Sequence, residues 1–200
     1  MDEDEIEAKA RQFRLAIGVD DSDWLDVPTL VYKLKRLLPG ISYALVEDYE
    51  LLDPGGRWDA DKNQLLIRRS VFEKANRPNA DPRARFTIVH EIAHAYLGHA
   101  GVRNRSAKGS LEKAISTKIR RIETITDRFA AAVLAPLHRI KPNENAASIA
   151  LRFGLSKQAS EIRADQAARD YRRKNGLTRP IPNSVRKIID ELRYGKKNET

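Results

Sequence analysis

The chain has 200 residues, 41% hydrophobic and 32% charged, which is enough apolar material for one compact domain with appendages, or a domain plus a small second module, and is not the profile of a disordered chain. There is no cysteine, so disulfides and thiolate metal sites are excluded and any metal must be held by His, Asp or Glu. The net charge is +9, and residues 139–200 alone hold 15 Lys/Arg against 7 Asp/Glu. Such a basic last third fits either nucleic acid, an acidic partner or a solvated helical face.

In chain order, residues Glu3 to Ile17 read as an amphipathic helix, with Ile6, Ala10, Phe13 and Ile17 at helical spacing and Gly18 as the stop. A second helix is expected from Pro28 to Leu38, ended by Pro39-Gly40. The period then changes, and Ile41 to Val46 reads as a strand. Pro54-Gly55-Gly56 signals a turn. Arg57 to Asp59 and Gln64 to Arg68 read as a hairpin joined through Asp61-Lys62-Asn63. Ser70-Val71-Phe72-Glu73 has the form of a capping box and predicts a short helix opening there. Asp81-Pro82 is a strong start, a cap residue and then proline at the first helical position, for a helix running to Leu97 before Gly98 and Gly101.

A polar segment, Arg103 to Ser110, precedes a long helix from Leu111 to Ala135 that Pro136 closes. Helices are expected from Asn145 to Phe153 and from Lys157 to Lys174, with Gly154-Leu155-Ser156 as the turn between them and Ser156 as cap. Gly176 to Pro182 reads as linker, Ser184 to Arg193 as a short helix, and the tail from Gly195 as frayed. No run approaches the roughly 18 apolar residues of a membrane span. The acidic start, Met1 to Glu5, is the reverse of a signal peptide, so a cytoplasmic protein is expected.

The chemistry concentrates in His90-Glu91-Ile92-Ala93-His94, an HExxH pattern. Residues four apart share one helix face, so both imidazoles can reach one metal ion. Glu91 adjoins the first ligand and is placed to act on a water at that ion as general base. Ile88, Val89 and Ile92 mark the helix as buried, and burying three unpaired polar side chains is costly; a metal removes that cost. A zinc site needs a third protein ligand. Glu123 and Asp127 lie four apart on the next helix, as ligand and histidine-orienting partner, or as a surface pair bonded to Arg120 or Arg128. Spacing alone favours the surface pair.

Two blocks resemble the ImmA/IrrE metallopeptidases, a branch of the zincins. Arg85-Phe86-Thr87-Ile88-Val89-His90-Glu91-Ile92-Ala93-His94 is similar to that family's RFTxxHExxH block. The run from Ile122 to Pro136 is similar to its second block: an acidic ligand, Asp or Asn four later, then FAA and a terminal proline. The hairpin ending in Leu65-Leu66-Ile67 and the late Phe153-Gly154-Leu155-Ser156 also match its layout, so the likeness covers roughly residues 25 to 170. Ile92-Ala93 stands where Leu-Gly is usual, and Ala135 where Met is usual.

The resemblance implies Glu123 as third ligand, and with it Asp127 as the carboxylate that orients a ligating histidine. It also implies an α+β fold, a mostly helical zincin-like domain with a small three-stranded antiparallel or mixed sheet. The cofactor implied is one zinc ion, with manganese tolerated. The activity implied is cleavage of a helix-turn-helix transcriptional repressor, which relieves repression. The domain reading that follows is an N-terminal helix over 1–24, the metallopeptidase domain over 25–140, a helix-turn-helix-like pair over 141–176 and a short helix with tail over 177–200.

His138, Tyr96 and His99 are candidates for a contact to substrate or to the developing oxyanion; His99, after Gly98, is read as falling off the ligand face. Trp58 reads as a packing residue, or as the flank of a groove for an extended substrate. The stretch from Ala147 to Arg163 has the rhythm of a helix-turn-helix, so DNA is a second candidate partner. The alternatives to a peptidase are therefore a DNA-binding regulator or a partner-sequestering protein, each with a structural or vestigial metal site.

Overall fold

Asp2 opens the first helix, α1 (Glu3–Ala16), through a complete capping box: its carboxylate accepts from the Glu5 amide, and the Glu5 carboxylate accepts from the Asp2 amide, each at 2.9 Å. The structure is a computed structural model, and it describes residues 1–53, 55–76, 79–99, 110–177 and 184–189, with 110–115 as backbone alone. After α1 come α2 (Val27–Leu37), β1 (Ser42–Val46), β2 (Gly56–Asp59), β3 (Gln64–Arg68), α3 (Arg69–Ala75), α4 (Pro82–Tyr96), α5 (Ser110–Leu134), a 3-10 turn at Leu137–Arg139, α6 (Ala146–Phe153) and α7 (Lys157–Lys174). Residues 184–189 are helical. The expected polar stretch over 103–109, the stop at Gly101, Pro54 of the turn signal and the tail from Gly195 lie outside the described residues. So do parts of the linker and of the last helix.

The fold is α+β, mostly helical around one small sheet, and the sheet is mixed. Its order is β1-β3-β2: β2 and β3 form the expected antiparallel hairpin, with Trp58 opposite Leu65, while β1 runs parallel to β3, with Tyr43 opposite Leu65. Leu65 and Ile67 alternate inward and are fully buried. One expectation fails locally. Ser70 does not cap α3, because β3 runs straight into that helix with Arg68 at the cap position and no side-chain cap. Ser70 falls within the first turn instead and donates to Asp48 Oδ2 at 2.5 Å.

The core binds α1 and α4 to α5. Phe13, fully buried, meets Tyr96 and Phe129 edge-on, at ring centroids of 4.9 and 6.0 Å. Burying a side chain of that size contributes about 1.5–3 kcal/mol. The C-terminal end of α5 is held by buried guanidiniums. Arg14 donates to Val133 O at 2.7 Å, and Arg163 Nε donates to Ala135 O at 2.8 Å while its Nη1 pairs with Glu7 at 2.8 Å. The last carbonyls of a helix lack intrahelical donors and carry its negative pole, so cations there satisfy both needs. This fixes the axial position of the helix that carries Glu123 and Asp127.

Arg85, the first residue of the motif block, is a third buried guanidinium. It donates to Leu25 O at 2.9 Å and Phe153 O at 3.2 Å, and lies 3.9 Å over the Trp24 ring. Burial lowers its pKa to about 10, which leaves it charged at neutral pH. Gly154, at φ +64°, sits so close beneath Trp24 that an added Cβ would come within 2.5 Å of the indole. The turn between α6 and α7 is thus docked on the α1–α2 connection and on α4.

Candidate metal centre

Helix α4 begins as its sequence dictates. Asp81 accepts from the Arg83 and Ala84 amides at 2.7 and 3.0 Å, and Pro82 occupies the first turn. One turn separates His90 from His94, and both imidazoles leave the same face toward α5. The Nε2 atoms of the two rings stand 3.1 Å apart. Glu123 on α5 closes the set: its Oε2 is 3.2 Å from His90 Nε2 and its Oε1 is 3.6 Å from His94 Nε2. A tetrahedral zinc ion with bonds of about 2.0–2.1 Å has ligand atoms about 3.3 Å apart. The three separations here bracket that value. Among the described residues, His90, His94 and Glu123 form the group whose ligand atoms all lie within 4.8 Å of one another.

The hydrogen bonds behind these atoms sharpen the fit. His90 Nδ1 is 2.8 Å from Asp127 Oδ1. A carboxylate only accepts, so that nitrogen carries the proton and Nε2 presents its lone pair to the centre. Burial opposes charge on His90, but the bond to Asp127 and the nearby carboxylates of Glu91, Asp127 and Glu123 outweigh it and raise the ring's pKa. His94 behaves oppositely: burial, with the neighbouring imidazoles of His90 and His99, lowers its pKa to about 4, so it is a neutral ring with a lone pair to give. Two imidazole lone pairs and a carboxylate converging on one point repel unless a cation lies among them. The donor set therefore fits a divalent ion, and all of its members are borderline or hard ligands of the kind zinc accepts.

Glu91 stands beside this set without belonging to it. Its Oε2 accepts the Trp58 amide N–H at 2.8 Å. Trp58 is in β2, at the edge of the sheet, and the N–H that β3 does not use is the one that meets the carboxylate. Burial pushes the Glu91 carboxyl up, while His90 and the Trp58 N–H partly oppose the shift. Two glycines let β2 come this close. A Cβ on Gly56 would lie 2.9 Å from Glu91 Cγ, and one on Gly55 would lie 2.6 Å from Thr87 Cγ2. The sequence marks these glycines only as a turn signal; what they provide is close approach of the strand to the motif helix.

The remaining candidates separate cleanly. Tyr96, two residues past His94 and so about 200° round the helix, stacks on Phe129 at 5.4 Å and lies in the apolar contact of α1, α4 and α5. His138, in the 3-10 turn, lies beside Asp20 at 3.4 Å. His99 lies off the ligand face, behind His94. It reaches His94, Nδ1 to Nδ1, at 3.2 Å, and Thr126 Oγ1 at 3.1 Å. Trp58, expected as a packing residue or groove flank, donates its indole N–H to the His99 carbonyl at 3.1 Å, while Thr126, a buried residue of α5, carries no signal in the sequence that ties it to this centre.

Residues 54–165 match the model of the family Peptidase_M78, described as the IrrE N-terminal-like domain. The chain belongs to this family. The match takes in α4, α5 and the α6–α7 turn, so every side chain of the centre lies inside the family domain. No curated protein matches the chain. A solved structure described as a Mycobacterium tuberculosis transcriptional regulator is similar at a TM-score of 0.52 and 17% identity, over 80% of this chain and 46% of that one. The chain thus spans less than half of the regulator's length, and at this identity the likeness is one of fold. Among the described residues no helix is long and apolar enough to cross a membrane.

Proposed function

We propose that the chain is a zinc-dependent endopeptidase whose target is a helix-turn-helix transcriptional repressor in the cytoplasm. The observation that carries the reading is the convergence of His90 Nε2, His94 Nε2 and Glu123 on one point, with the Glu91 carboxylate alongside and outside the ligand set. When bound there, a divalent ion supplies a Lewis acid for a peptide carbonyl and lowers the pKa of a water toward neutrality. Glu91 takes the proton of the attacking water and passes it to the departing amine. Its buried position, which raises its pKa, suits a group that must both accept and release that proton. Asp127 holds the His90 tautomer, and the Trp58 N–H orients Glu91. The reading assigns residues 25–140 to the peptidase unit, with α6 and α7 as a pair docked on it.

DNA binding through α6 and α7 draws on the basic last third, but the exposed side chains of the first half of α7 are Lys157, Gln158, Glu161, Ile162 and Asp165. Phosphates laid along that half would meet two carboxylates, which favours a protein over a nucleic-acid partner. The test is to incubate the purified protein with zinc and with candidate helix-turn-helix repressors, each with and without a chelator. The expected result is a pair of repressor fragments that the chelator suppresses. An intact repressor held in a stable complex would instead make the chain a sequestering protein.

A further inference from the structure

His99 sits where a chain of local rules puts it. Leu97 ends α4, Gly98 follows at φ +68°, and two backbone bonds close the helix: Gly98 N to Ala95 O at 3.2 Å and His99 N to His94 O at 3.0 Å. This is a Schellman motif, and it turns the residue after the glycine back over the last turn of the helix. The turn brings the His99 ring to His94, with centroids 5.3 Å apart and the Nδ1 atoms at 3.2 Å. Trp58 locks the arrangement from the sheet, its indole N–H on the His99 carbonyl.

Only one proton can lie between two Nδ1 atoms. Thr126 has one hydroxyl proton, and it too has a bond available in either direction: its Oγ1 is 2.9 Å from Ile122 O and 3.1 Å from His99 Nδ1. If His99 Nδ1 keeps the shared proton, His94 is forced to carry its own on Nε2, the atom that faces His90 and Glu123. If His94 Nδ1 has it, Nε2 is a bare lone pair. Only the second arrangement lets His94 serve as a ligand.

We infer that His99 is a positioning residue of the metal centre: its Nδ1 accepts the Nδ1–H of His94, fixing the tautomer and ring plane in which His94 Nε2 is a ligand. It does for His94 what Asp127 does for His90. The inference rests on the metal reading above, and the test separates the two.

Zinc affinity is measured by calorimetric titration of the chelator-stripped full chain for wild type, His99→Phe and His99→Asn. Phenylalanine keeps a ring and removes the acceptor; asparagine loses the ring and offers a side-chain oxygen near the Nδ1 position. The expected result is a 10–100-fold loss of zinc affinity in His99→Phe, the usual size for a partner of a ligating histidine, with part of it restored in His99→Asn. A purely structural role would give the reverse order, since the ring is what fills space. His99→Phe binding zinc like wild type, or His99→Asn binding more weakly than His99→Phe, overturns the proposal and leaves the metal reading standing. Wild type that binds no zinc overturns both.

The wild-type protein gives a second readout that needs no variant. The chain has four histidines, so the imidazole nitrogen spectrum of labelled, zinc-loaded protein is assignable. It should show His94 protonated at Nδ1 and His99 protonated at Nε2. A proton on Nδ1 of His99 in the zinc-loaded protein overturns the proposal even if both variants fail to fold.

Discussion

Glu91→Gln is expected to keep its full complement of zinc and to lose about 10²- to 10⁴-fold in the rate of hydrolysis of any substrate the wild type cuts. The amide is nearly isosteric with the carboxylate, so its oxygen can still accept the Trp58 N–H and its Cγ still fills the space beside Gly56. No ligand of the metal is removed. What disappears is a group able to take a proton from water and return it to the leaving amine. The effect should therefore fall on kcat, with KM little changed, as for an interaction used only in the transition state. The measurement is a rate comparison at matched zinc content. Cleavage by Glu91→Gln at the wild-type rate would remove Glu91 from the chemistry.

His94→Ala should have the opposite signature, losing zinc first and activity as a consequence. The variant removes one of three converging donors and leaves His90 Nε2 and Glu123 without the geometry of a closed site. Metal that binds only the folded state stabilises it by mass action, by about 2.7 kcal/mol at a zinc concentration 100 times the dissociation constant. For a domain of this size 1 kcal/mol shifts Tm by about 2–4 °C, so zinc should raise the wild-type Tm by roughly 5–11 °C. In His94→Ala the zinc-dependent rise should vanish. His94 is itself buried, so the variant also has a lower Tm without metal, from the cavity and from the lost bond to His99. The diagnostic quantity is the difference between zinc-loaded and chelated protein, which the cavity does not affect. A zinc-dependent shift equal to that of wild type would take His94 out of the ligand set.

The parts of this centre that are legible in the sequence are those that follow from helix geometry alone. Two histidines four apart on a buried helix must leave by one face, whatever the rest of the fold does. Asp81-Pro82 marks where that helix starts. Glu123 is less legible: an acidic residue on a helix rich in arginine reads as a surface ion pair, and only the order of the two motif blocks gives it another meaning. The contact of His99 with His94 was not legible, because it depends on the left-handed Gly98 and on which way the Schellman turn points the next side chain. The roles of Trp58, Gly55 and Gly56 depend on a strand–helix approach that no local pattern encodes. The buried arginines Arg14, Arg85 and Arg163 break the rule that places charge outside. Each donates to backbone carbonyls at helix ends or connections, Arg163 pairing with Glu7 as well, and that demand is visible only once the ends are assembled.

In the proposed centre one zinc ion is held by two imidazoles and a carboxylate. The zinc K-edge absorption spectrum of protein loaded with one equivalent of zinc tests it most directly. The expected spectrum is four-coordinate, with two imidazole rings at about 2.0–2.1 Å and the remaining ligands oxygen. A spectrum of oxygen ligands alone, without the outer-ring scattering of histidine, would contradict it.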